Sequence, residues 1–300
     1  VTFEMQYRAI ASLARFLSAR GIGKGDRVAL CASNAPEWPV AFFAITSLGA
    51  VVVPLNAWWT AEELVYGLSD SGAVALVVDG TRWTLIAPHC ARNPRVATVV
   101  VFRGEATSSA KYESLESLLG PPSAWDMLPD DPLPDTPLSP EDDATLFYTS
   151  GTTGLPKAAI GSHRNIMTNI VSASYVAART VRRRGEPLPS PSPRTGLIIT
   201  PLFHVTACSA NLMGATAAGH TSIYMRKWDA LEAMEIIERE KVQATGAFRR
   251  SPGSCSSIPN GTASTSRASI PSATAVHLPR PNWCAALGRS LARCPRTAGA

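Results

Sequence analysis

Gly25-Asp26-Arg27-Val28-Ala29-Leu30-Cys31 opens the stretch on which the fold turns. It is an apolar run entered from a turn, followed by a helical segment after Pro36 and a second run at Ala50-Val51-Val52-Val53-Pro54. Apolar runs of this kind, separated by a helix, read as parallel strands with both faces covered. Upstream, Met5 to Leu17 places Ile10, Leu13, Ala14 and Leu17 at helical spacing and stops at Gly21-Ile22-Gly23. Downstream, residues 61–69 read as a helix and Ala73 to Val78 as a strand. Further strands are expected at 97–102, 144–149, 196–200, 220–224 and 242–245, with helical stretches between most of them. The expectation is an α/β fold of layered, mostly parallel sheets with helices.

The chain has 300 residues, 45% hydrophobic and 17% charged, which excludes a disordered chain and a disulfide miniprotein. No apolar run approaches the ~20 residues of a membrane-spanning helix. Val1-Thr2-Phe3-Glu4 shows no secretory leader, and the missing initiator Met suggests a start inside a longer reading frame. A cytoplasmic, reducing location is expected. The net charge of +5 divides unevenly: residues 247–300 hold seven Arg and no Lys, Asp or Glu, which leaves residues 1–246 at −2. A mildly acidic body with a basic tail argues against a nucleic-acid partner, since the tail lacks any helical or RNA-motif pattern. Cys31, Cys90 and Cys208 sit in apolar segments, and Cys255, Cys284 and Cys294 in the tail. None shows zinc spacing, so free thiols are expected and no metal site. Residues 120–143, with seven Pro and seven acids, read as a solvated connector. Residues 181–195, with Arg182-Arg183-Arg184 and four Pro, read as a mobile surface loop.

Chemistry concentrates after the strand Ala144-Thr145-Leu146-Phe147-Tyr148. Thr149-Ser150-Gly151-Thr152-Thr153-Gly154-Leu155-Pro156-Lys157 packs four hydroxyls, two Gly and a Lys into nine positions, ahead of a helix from about His163. Gly lets backbone N–H groups approach an anion, hydroxyls add donors, and Lys157 adds a point charge suited to a polyphosphate. The spacing is not the Walker pattern, because Lys157 lies three residues after Gly154. A Ser/Thr-rich turn between strand and helix is the plainer reading, which the ordered string disfavours.

That string resembles the phosphate loop of the adenylate-forming superfamily, which includes acyl-CoA synthetases, luciferases and peptide-synthetase adenylation domains. Gly25 to Leu30, Ala41 to Asn56 and Pro201-Leu202-Phe203-His204 match further elements of that family in order, and His163-Arg164-Asn165-Ile166 is similar to its acyl-CoA synthetase branch. The likeness covers residues 2 to 246 and implies the N-terminal domain of such an enzyme. It implies attack of a carboxylate, on this branch a fatty acid, on the α-phosphate of ATP, with Mg2+ and release of pyrophosphate; CoA then displaces AMP. By the family pattern Thr149, Ser150, Gly151, Thr152, Thr153, Gly154 and Lys157 form a mobile loop over the β- and γ-phosphates, and His204 lines the junction of acyl pocket and nucleotide site. Ala158 departs from the family's usual Gly. The implied partners are small molecules, with no nucleic acid and no membrane span.

The likeness stops at Thr245-Gly246. The following 54 residues hold nine Ser, seven Arg and six Pro without sustained periodicity. When each tail codon's third base is reread as a first base, Arg249 to Pro259 can become P-T-I-A-W-Q-L-L-E-H-P. Ser272 to Leu278 can become S-Y-G-G-A-P, and Cys294 to Ala300 P-x-N-G-W-G. The last two resemble the next motifs of such ligases. Residues 1–246 are therefore expected to be a partial AMP-binding domain, and 247–300 an out-of-frame, disordered tail lacking the acid that helps hold magnesium. The chain as written is expected to be inactive, or to bind ATP or polyphosphate without turnover.

Overall fold

The computed structural model describes residues 1–104, 112–149, 154–188 and 192–246. Helix α1 (Phe3–Ala19) starts where the Thr2 hydroxyl accepts the Met5 N–H, and it leads into strand β1 (Arg27–Cys31). Helix α2 (Glu37–Ser47), strand β2 (Val51–Pro54), helix α3 (Ala61–Ser71), strand β3 (Ala75–Asp79) and helix α4 (Gly80–Ile86) follow. Thr60 and Glu63 form a reciprocal cap at the start of α3, and Gly72, at φ 65°, ends it. Strands β4 (Thr98–Phe102) and β5 (Glu113–Ser114) and helix α5 (Leu115–Leu119) lead to the hairpin of β6 (Asp143–Thr149) and β7 (Lys157–Ser162). After helix α6 (His163–Arg183) come strand β8 (Thr195–Ile198), helix α7 (Met213–Ala218), strand β9 (Thr221–Tyr224), helix α8 (Ala230–Arg239) and strand β10 (Ala244–Gly246).

Among the described residues the strands form two sheets. The larger has the order β5-β4-β3-β1-β2-β6-β7 and the smaller β10-β8-β9. All pairings are parallel except β6 with β7, which is antiparallel. Alternation along β1 divides the core. Val28 and Leu30 join Leu13, Leu17, Trp38, Phe42 and Ile45 under α1 and α2, while Ala29 and Cys31 join Leu64, Leu68, Trp83 and Ile86 under α3 and α4. The chain leaves β1 to one side for β2 and returns on the other for β3, so a crevice falls between the carboxyl ends of β1 and β3. There Asp79 accepts the Ser33 N–H at 3.0 Å and pairs with Arg82 at 3.0 Å. At the same end Gly80 lies so close to the turn after β4 that a Cβ would meet Gly104 Cα at 2.4 Å and the Arg103 carbonyl at 2.6 Å.

Several readings need correction. The helix expected from about His163 is α6, and the unread stretch before it, Lys157 to Ser162, is a strand in which Ala158 pairs with Tyr148 inside the hairpin. The connector is solvated along much of its length, as expected, but it is also anchored as a strap. Trp125 is buried, Arg8 donates to the Asp126 and Leu128 carbonyls at 3.0 Å each, and Arg15 donates to Pro132 at 3.0 Å. Lys24 reaches the Pro137 carbonyl at 3.1 Å and Asp142 at 2.6 Å. Arg182 and Arg183 close the last turn of α6, where cations meet the helix's free carbonyls; the expected surface loop is thus confined to the stretch between α6 and β8, where 184–188 are exposed and 186–188 and 192–194 irregular. Cys31 and Cys208 are buried free thiols, and burial raises both pKa values, whereas Cys90 is half-buried. Residues 247–300, with their three cysteines, lie outside the described residues.

Burial also leaves a pH signature. The His163 Nε2 is buried without a partner, and burial holds its imidazole below the ordinary 6.5; burial and then Arg194 do the same to His220. Below about pH 6.5 the unfolded chain takes up protons that the folded chain refuses, so stability falls with pH through that range. Urea midpoints are expected to drop between pH 7.5 and 5.5, and the slope should flatten in His163→Gln. An unchanged slope would show that His163 titrates alike in both states.

Candidate functional site

The β6–β7 hairpin carries the hydroxyl-rich loop between two anchored ends. Thr149 pairs with Lys157 in the hairpin register, and the Thr149 hydroxyl donates to the Lys157 carbonyl at 3.2 Å. Ser150, Gly151, Thr152 and Thr153 lie outside the described residues. Gly154 takes φ 104°, a conformation open to Gly and costly for other residues, and it is exposed, as is Lys157. Among the described residues no carboxylate pairs with Lys157, so its charge faces solvent at the loop's exit.

Helix α3 fixes both ends of this loop. At the entry, the Tyr148 hydroxyl donates to Asp70 at 2.6 Å, and its ring meets Trp59 edge-on at 5.5 Å between centroids. Burial, then the hydrogen bond to Asp70 and its charge, pushes the Tyr148 phenol far above its ordinary value, so it remains a donor. At the exit, the Tyr66 hydroxyl donates to the Pro156 carbonyl at 3.3 Å. The two bonds leave α3 one turn of helix apart and fix the loop at its base.

His204 lies on a different element. Its N–H donates to the Pro201 carbonyl at 3.0 Å, closing a turn in which Leu202 is fully buried. The exposed imidazole accepts the Thr206 N–H on Nδ1 at 3.2 Å, which places the proton of the neutral ring on Nε2. A π-helical segment, Thr206–Leu212, follows and continues into α7; such bulges recur at functional sites. Asn169 of α6 donates to the Ser209 carbonyl at 3.2 Å, tying this segment to the helix that follows the hairpin. Phe203 meets Trp58, in the turn after β2, edge-on at 5.3 Å. The sequence reading included Tyr148 in the loop string but missed its partner Asp70, and with it Tyr66, Trp58 and Asn34. A Trp pair a few residues past an apolar strand was the one signal available; a Tyr or an Asp in a helix and an Asn in a turn have none.

Among the described residues no group of three or more His, Cys, Asp or Glu could hold a metal ion. The donors present do not by themselves make a magnesium site, and no helix among them is long and apolar enough to cross a membrane.

A parallel sheet extended by an antiparallel hairpin, with a second parallel sheet docked at its strand ends, is the N-terminal architecture of adenylate-forming enzymes. The chain belongs to the AMP-binding enzyme family, which matches residues 1–249. It is 31% identical over 243 residues to the long-chain-fatty-acid–CoA ligase FadD13 of Mycobacterium tuberculosis, covering 81% of this chain and 43% of that one. It is 29% identical over 238 residues to 4-coumarate–CoA ligase 2 of Oryza sativa subsp. japonica, covering 78% and 40%. The inhibitor-bound N-terminal domain of FACL13 from M. tuberculosis superposes with a TM-score of 0.64 at 27% identity, over 81% of this chain and 54% of that one. The chain thus spans about two fifths of the curated relatives it matches.

Proposed function

We propose that residues 1–246 are the nucleotide-loop part of an ATP-dependent acyl-CoA synthetase acting on a fatty acid, working in the cytoplasm on small molecules. The observation that carries this reading is the hairpin loop with Thr149 and Lys157 paired at its base and α3 holding both ends. Thr149, Ser150, Gly151, Thr152, Thr153 and Gly154 supply hydroxyl and N–H donors to the β- and γ-phosphates, and Lys157 supplies a charge. His204 stands where acyl group and nucleotide meet, presenting Nε2–H. Bringing a carboxylate to a polyphosphate sets two anions together, and fixed donors offset that repulsion. Magnesium enters with ATP through its phosphates, and CoA enters as the second substrate.

Residues 247–300 we read as the product of a single-base slip after Gly246. In support, the family match ends at residue 249, and the shifted frame restores an amphipathic segment followed by two family-like motifs in order. On this reading the chain as written binds ATP or pyrophosphate without adenylate formation. Calorimetry is expected to show weak ATP binding, reduced about tenfold in Lys157→Ala by loss of one charge-assisted contact. Equal affinity in that variant would remove the loop from the nucleotide site. Salt-sensitive affinity for nucleic acid, lost on deleting residues 247–300, would favour the tail as the binding element instead.

A further inference from the structure

We infer that Asn34 is a positioning residue, the clamp that sets the Pro201–His204 turn, and with it the His204 imidazole, against the carboxyl ends of β1 and β3. Asn34 follows β1 and is 5% exposed. Its Nδ2 lies 3.0 Å from the Thr200 carbonyl, 3.2 Å from Met225 and 3.3 Å from Ile198. Its Oδ1 accepts the Leu202 N–H at 2.8 Å. One side chain therefore gathers carbonyls from the ends of β8 and β9 and a donor from the turn itself, all 164 or more residues downstream. An amide is the group that can do this, since it presents donors and an acceptor on one rigid plane.

The clamp is itself braced. The neighbouring Ser33 N–H donates to Asp79, Asp79 is held by Arg82, and Arg82 donates to the Ala57 carbonyl at 2.9 Å. Two residues beyond Leu202 stands His204, and between them Phe203 rests on Trp58. The turn is thus fixed on its backbone by Asn34 and on its aromatic side by Trp58. The crevice where open α/β sheets commonly receive ligands is filled here by the chain's own second sheet, which turns that position from a binding site into a mount for another one.

The catalytic consequence rests on the reading of His204 as the acyl–nucleotide junction; the clamp itself does not. In the 15N-labelled full chain, Asn34→Asp turns one plane of donors into a carboxylate facing three carbonyls. At neutral pH the Leu202 and His204 amide cross-peaks are expected to move while those of Val77 and Val100 stay. Acidification protonates the carboxyl, restores one donor, and should return them toward native positions. Asn34→Ser, with one short donor, should displace them partway. A non-hydrolysable acyl sulfamoyladenosine should bind at least tenfold more weakly to both variants. Unmoved Leu202 and His204 cross-peaks would overturn the inference. So would loss of all dispersed signals in both variants without recovery in acid, which marks a merely structural role. Equal binding of the probe by parent and variants would unseat the His204 reading, and failure of the parent to bind, which loss of the adenine contacts would explain, leaves the cross-peak result to decide the clamp.

Discussion

Restoring one base in the codons after Thr245 is expected to raise ATP–pyrophosphate exchange with a fatty acid from background by more than about a thousandfold. Removing a single well-placed electrostatic contact from an active site costs roughly a hundredfold to a thousandfold in rate. On the reading proposed for residues 247–300, the slip removes several at once, including the acid that helps hold magnesium and the adenine contacts begun by P-x-N-G-W-G. The frame-restored chain should also become less prone to associate. In the present chain Met167, Val171, Tyr175 and Val176 stand exposed along α6, and Leu231 and Met234 along α8. Apolar residues so placed on two helices are what a following part of a domain would cover. Exchange assays on the two chains, with light scattering alongside, check both points. A restored chain with no exchange would dismiss the frame-slip reading.

Gly80→Ala is expected to destabilise the larger sheet by about 3 kcal/mol, at the upper end for overpacking. The new methyl would meet backbone on both sides, Gly104 Cα at 2.4 Å and the Arg103 carbonyl at 2.6 Å. Neither neighbour can yield readily. Arg103 sits at φ 51°, its N–H donates to Glu116 at 2.6 Å, and its side chain pairs with the buried Glu37 at 2.8 Å. Gly23→Ala, where a Cβ meets nothing within 4 Å, serves as the control and should change stability little. Urea denaturation of the two variants measures the difference. Equal midpoints would mean that the turn after β4 gives way freely.

Much of this architecture was legible. Strands β1 to β4 are runs of Val, Ala and Leu buried on both faces, and continuous apolar character is the mark burial leaves on sequence. Strand β7 left no such mark. Lys157-Ala158-Ala159-Ile160 is exposed, and its strand conformation comes from pairing with β6 at the sheet's edge, a tertiary cause that local propensity does not record. The strap's anchoring was hidden for the same reason: its Pro and Asp mark the solvent that much of it meets, while its carbonyls are claimed by Arg8, Arg15 and Lys24 from far upstream. At the site, the ordered string from Tyr148 to Lys157 and the Pro201–His204 element could be found by pattern. Tyr66 and Asn34 could not, because each acts through a hydrogen bond to a carbonyl, and any residue supplies a carbonyl.

The strap also sets an order of events. The contacts of α1 with it join residues 117 to 120 positions apart, so they are among the last contacts of that helix to close. While the chain emerges from a ribosome, α1 can pack early on α2 and β1, but its hydrogen bonds to the strap must wait until the strap has been synthesised. Contacts of such separation slow folding, because the chain between them must first be gathered in. A nascent chain halted before residue 126 would thus hold α1 packed on α2 with its Arg8 and Arg15 still lacking the strap carbonyls that fix them.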